Sequence, residues 1–242
     1  MAWQSPKTDW SAEDGVRDSD LNRIEENIRM LFSGQAPYSN IDVYVSKSGS
    51  DANGAGTAAS PYASITKALS TLPKDFNGKF VNVNIGAGTY NENVAVDYFS
   101  GGVLHITGTS GTTVTINSLT VQVSNVLVTN IALSVTGTSG VMIGAGSIFT
   151  ATSNILIAGA TTGLNVFDNS QVFIGTASIS NSTTAISVYN NARLFVYSIN
   201  CTNVDRAMSA ANGGVIAYNA FTGNANVAMT TTGSGGRILT GT

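Results

Sequence analysis

The sequence predicts an all-β chain wound as a right-handed parallel β-helix of about 22 residues per coil, with a short N-terminal helix and a capping helix. Three observations predict it. First, stacking the chain from Leu119, Val141, Leu164, Ile186, Met208 and Thr230 brings similar residues into columns. The third column is Val121, Ile143, Val166, Val188, Ala210 and Thr232, and the ninth is Leu127, Phe149, Val172, Leu194, Ile216 and Ile238. Second, only 10% of the 242 residues are charged, and the polar ones are mostly Ser, Thr and Asn, which suits short strands and tight turns. Third, parallel strands in a planar sheet need crossover helices, and no helix pattern fits inside these repeats. Continuous winding with strands stacked ~4.8 Å apart removes that need. An antiparallel sandwich would not hold the columns in register.

Three segments follow in order. Residues 1–40 form an attachment or oligomerisation segment. Asp18 or Ser19 can cap a helix there, and Leu21, Ile24, Ile28 and Leu31 lie at a/d spacing along it. So narrow a seam suits either docking on the chain's own domain or gathering with copies of itself on a symmetry axis. Residues 41–96 open and cap the β-helix. Val43–Ser46 reads as a strand, Gly49–Gly56 as a loop, and Ser60-Pro61 as the start of a short helix with Tyr62, Ile65, Leu69 and Leu72 as its apolar stripe. Pro73 stops that helix, and Val81–Ile85 returns to strand. Residues 97–242 are the coils, with one extra residue in the coil Val141–Gly163 taken up as a loop or bulge. The last, Gly-rich coil is open to completion by another chain.

Alternation along strands assigns faces. Columns nine and eleven look inward. Columns eight and ten look outward and place Val128, Ile148, Phe173, Phe195 and Val215 on one apolar face. So long an apolar stripe is rarely left wet. Self-association fits best, a homotrimer being the simplest closed parallel assembly. A platform for sugar rings, with Tyr189, Arg193 and Tyr218 as glycan contacts, or cover by the N-terminal segment are the alternatives. In column five Asp168, Asn190, Asn212 and Ser234 read as a structural ladder at a turn, since Asn tolerates left-handed dihedrals; a ligand-binding row is the alternative.

Chemistry is sparse. From Tyr98 onward the ionisable Asp, Arg and His residues are His105, Asp168, Arg193, Asp205, Arg206 and Arg237. Glycoside hydrolysis needs two carboxylates within about 10 Å, and Asp168 and Asp205 fall at different corners. The reading therefore leans to a non-enzyme, with a site shared between subunits as the exception. Asp205-Arg206 reads as a solvated pair, His105 as a packed or surface histidine, and Cys201 as a small buried hydrophobe. No catalytic residue, metal ligand or cofactor is assigned. The lone cysteine excludes an intrachain disulfide and fits a reducing cytoplasm. A net charge of −3 gives no bulk attraction to nucleic acid, and no apolar run suits membrane insertion. The start of the chain does not read as a signal peptide.

Two resemblances add to this. Val43–Asp51 with Ser60–Leu69 resembles the opening of pectin-lyase-like β-helix domains, whose helix caps the open core. Gly86–Val94 is similar to the first coil of pectin methylesterase-like proteins. The catalytic aspartates and arginine of those esterases have no matching motif here. Trp10-Ser11 with Asp18–Ile28 resembles the start of tail-fibre and minor structural proteins of phages and prophages of Gram-positive bacteria. That resemblance implies a tail-fibre or tailspike-like virion protein, assembled in the host cytoplasm. Its partners would be a second and third copy, tail, baseplate or capsid proteins, and a bacterial surface polysaccharide. The resemblance implies Trp3, Trp10, Asn22, Arg23 and Asn27 as candidate attachment contacts, with packing of the helix on the rod as the alternative. A polysaccharide-degrading tailspike and a capsid decoration or head-fibre protein are the alternatives.

Overall fold

The computed structural model describes residue 22 and residues 40–232 and 235–240. From residue 40 the chain is a parallel β-helix of about 7 turns, about 22 residues each. Its strands are β1 (Ile41–Val45), β2 (Phe80–Ile85), β3 (Gly88–Thr89), β4 (Asn93–Asp97), β5 (Val103–Ile116), β6 (Ser118–Gln122), β7 (Asn125–Val135), β8 (Val141–Gly144), β9 (Ile148–Ala158), β10 (Thr162–Val166), β11 (Gln171–Val188), β12 (Arg193–Ala211), β13 (Val215–Thr232) and β14 (Arg237–Thr240). Every pairing between these strands is parallel. Thus β11 and β12 pair from Gln171↔Arg193 to Val188↔Ala210, a constant step of one coil. The longest strands bend at corners and serve more than one face.

Stacked apolar columns make the core. One runs Val81, Leu104, Val126, Phe149, Val172, Leu194 and Ile216; its neighbour runs Val83, Ile106, Val128, Ala151, Ile174, Val196 and Tyr218. All of these residues are buried. Each side chain meets the equivalent one a coil above and below, so the core is continuous along the winding rather than centred on a point.

Here the structure corrects the outward assignment of Val128, which is 0% exposed. Against the preceding coil, the Val141–Gly163 coil gains a residue in the turn Ala145–Ser147 between β8 and β9; against the following coil its extra residue lies between Ala151 and Asn154. Gln122 pairs with Gly144, but Asn125 already pairs with Ile148. The slip moves Val126 and Val128 under Phe149 and Ala151 and turns Leu127 outward. A one-residue shift exchanges the two faces of a strand.

Corners are set by left-handed residues. Asp168-Asn169 and Asn190-Asn191 all have φ between 51° and 61°, and Asn212 has φ 47°. The Asn190 amide donates to Asp168 Oδ1 at 2.8 Å, and Asn169 N–H donates to the Asn190 carbonyl at 3.0 Å. Column five is therefore a structural ladder where it is described; Ser234 lies outside the described residues. A second ladder joins Asn203 Nδ2 to Asn181 Oδ1 at 2.7 Å, again with both residues left-handed.

The capping helix α1 (Ile65–Ser70) is shorter than expected and starts at Ser64, not at Ser60-Pro61. Tyr62 is drawn into extended backbone instead, where its N–H donates to the Tyr44 carbonyl. All three leading helix amides are satisfied by side chains. Ile65 and Thr66 donate to the two Glu92 oxygens at 3.0 and 2.8 Å, and Lys67 donates to Ser64 Oγ at 3.1 Å. Asp51 holds the preceding turn through Ala63 N–H, Ser64 N–H and the Ser64 hydroxyl. The two carboxylates thus fix the cap to the loop before it and the coil below it, compensating orphan donors at the positive end of the helix.

Candidate functional site

The outward side of the strand segments following the Asp168/Asn190 corner is the face with the strongest chemical character. Inward Val172, Leu194 and Ile216 force their neighbours outward. Ile148 is 42% exposed, Phe173 50%, Phe195 37% and Leu239 49%. Phe173 and Phe195 are directly paired across β11 and β12, with ring centroids 6.4 Å apart at 47°. Val215 is half-buried beside them, and Gln171, Arg193 and Arg237 are exposed along one margin. Four of the five outward positions named from the sequence, Ile148, Phe173, Phe195 and Val215, thus share a face; Val128 lies inside the core.

The proposed glycan contacts do not form one group. Arg193 is exposed beside the apolar face. Tyr189 is half-buried around the corner, stacked on Phe167 at 5.5 Å and 9°, and its hydroxyl accepts from Asn165 Nδ2 at 3.4 Å. That stack exists because Gly144 lies beneath it, where a Cβ would come within 2.3 Å of the Phe167 ring. Tyr218 is corrected: it is 5% exposed, paired with inward Val196, and its ring meets Phe221 edge-on at 6.5 Å. It is a core residue and cannot present itself to a ligand.

The N-terminal residues Trp3, Trp10, Leu21, Arg23, Ile24, Asn27, Ile28 and Leu31 lie outside the described residues; Asn22 is helical and exposed. Among the described residues no group of three or more His, Cys, Asp or Glu could hold a metal ion, and no helix is long and apolar enough to cross a membrane. Asp168 is occupied by Asn190, and Asp205 accepts from Asn226 Nδ2 at 3.1 Å. Cys201 is fully buried against Ile179, and burial pushes its thiol up to about 11.

His105 belongs to a polar chain across the first coils. Asn82 Nδ2 donates to Asp42 at 2.7 Å, which turns Asn82 Oδ1 toward His105 Nδ1 at 2.9 Å. Nδ1 therefore carries the proton, and Nε2, 2.7 Å from Thr129 Oγ1, accepts from that hydroxyl. Burial holds the imidazole below its ordinary pKa. A base with a depressed folded pKa stabilises the fold fully above its unfolded value of about 6.5, and that contribution is lost as pH falls through the folded value. In urea titrations the wild-type chain is expected to lose stability as pH falls below the unfolded value of about 6.5. His105→Gln should flatten that slope, and an unaltered slope would refute the assignment.

No family model, no curated protein and no solved structure matches the chain.

Proposed function

We propose that the chain is a non-enzymatic structural and receptor-binding rod of a phage or phage-derived particle, of the tail-fibre or tailspike kind, working as a homotrimer that engages a bacterial surface glycan. The observation that carries it is the outward apolar face, where Phe173, Phe195, Ala217 and Leu239 stand in one column above Thr150 and Ile148 lies in the neighbouring column. Aromatic and branched side chains aligned over successive coils gain most when a partner removes them from water, at about 25 cal/mol per Å². The row crosses five coils, about 20 Å at ~4.8 Å per step. A stable partner needs about 800 Å² per side, so the flanking Tyr197 and polar rows contribute the rim. Engagement of Asp168 and Asp205 by asparagine amides favours the non-enzymatic reading over the tailspike hydrolase. The particle assignment draws on the Trp10-Ser11 and Asp18–Ile28 pattern.

Light scattering of the full chain at micromolar concentration tests the assembly. Three chains per particle are expected. Phe173→Asp with Phe195→Asp should give monomers whose β-sheet circular dichroism is unchanged, because both positions are outward. A wild-type monomer, or a double variant that still assembles, would overturn the proposal.

A further inference from the structure

A second face of the rod differs in kind from the apolar one. It is formed by outward residues of the segments 113–117, 132–136, 154–158, 176–180, 198–202 and 220–224, which stack in register across six coils. Those segments contain no Asp, Glu, Lys, Arg or His. Their central outward column includes Ser134, Leu156, Ser178, Asn200 and Thr222. Around Ser178 and Asn200 the face dips into a depression of about 270 Å³, lined also by Leu156, Ser180 and Thr202.

We infer that this face holds an uncharged polysaccharide chain laid along the stacking direction of the coils, centred on the Ser178–Asn200 depression. The inference rests on the glycan-engaging part of the function proposed above and is independent of self-association. Its chemistry is that of a polyol partner. Serine and threonine hydroxyls rotate to donate or accept, as sugar hydroxyls do, so either register can be matched. Asn200 donates to Ser178 Oγ at 3.4 Å, the long edge of a hydrogen bond, and a ligand hydroxyl can take over that donor. Its amide oxygen is held by Thr222 Oγ1, which fixes which way the amide points. Leu156 offers methyl groups to the C–H face of a ring. The coil step of ~4.8 Å is close to the length of one pyranose unit, so successive sugars meet successive coils. The face carries no cation for an acidic polymer and no ionised group whose desolvation would oppose a neutral one.

The test is affinity electrophoresis of the full chain in native gels cast with dextran, mannan, hydroxyethyl cellulose or polygalacturonate. Retardation is expected in at least one neutral gel and not with polygalacturonate. Ser178→Glu with Asn200→Asp should weaken that retardation by about tenfold, roughly the loss of one or two hydrogen bonds. The Phe173→Asp/Phe195→Asp chain should be retarded like wild type. Ser178→Val with Asn200→Val removes the same polar groups with residues that favour strands, and carries the same expectation if the charged pair misfolds. Equal retardation of wild type and the folded trough variant overturns the inference. So does retardation by polygalacturonate alone. If only the phenylalanine variant loses retardation, glycan engagement stands but its site is the apolar face. If no gel retards the wild type, both readings fall.

Discussion

Val128→Asp is expected to prevent the chain from folding, while Leu127→Asp, one residue away, leaves it folded. Val128 is fully buried between Ile106 and Ala151 in its column. An unpaired charge there costs several kcal/mol, a large part of the 5–15 kcal/mol that stabilises an ordinary domain. Leu127 is half-buried and outward, so a charge at its tip reaches water at a cost of about 1 kcal/mol. Urea denaturation followed by far-ultraviolet circular dichroism separates the two. A folded Val128→Asp chain beside an unfolded Leu127→Asp chain would mean that the strand has the opposite register.

Glu92→Ala is expected to destabilise the first coils by about 2–3 kcal/mol, the sum of a lost helix cap and charge-assisted hydrogen bonds. Three donors lose their acceptor at once: the amides of Ile65 and Thr66 and the Thr66 hydroxyl. The consequence is local before it is global, because α1 buries Ile65, Ala68 and Leu69 over the end of the core. Amide hydrogen exchange should therefore rise in α1 and β4 first. Glu92→Gln retains one acceptor oxygen and should recover about half of the loss. Exchange and urea midpoint both equal to wild type would show that the cap is held by other contacts.

The fold was legible because its repeat is written in side-chain columns that keep one step across β11 and β12; the last coil departs from them, since a register shift between Cys201 and Val204 pairs Met208 with Met229 and Ala210 with Thr231 rather than with Thr230 and Thr232. Where the register failed, the local sequence was ambiguous. Val126, Leu127 and Val128 are three apolar residues in a row, so alternation alone supports either phase. Only the position of the extra residue in Ala145–Ser147 decides between them, and no local preference marks it. Tyr218 was misassigned for a related reason: tyrosine suits both a core end and a wet face. Its place in a column below Val196 was the available signal. Asn181 and Asn203, 22 residues apart in the sequence, announced a second corner ladder as clearly as Asn190 and Asn212 did. The role of Glu92 had no such sign, because its partners lie 26 and 27 residues away and meet it only once a coil has closed.

The chain tolerates differences in length from coil to coil, and it does so at corners. Between Gln122 and Asn125 the turn holds two residues, and between Gly144 and Ile148 it holds three. The columns on either side keep their partners, because the added length is taken up within the turn, and Ser147 Oγ still accepts from the Ser124 N–H at 3.3 Å. The interior and the outline of such a molecule are therefore independently variable. Selection can lengthen a bend, add a finger or alter what a face displays, while the same few apolar positions keep every coil seated on the last.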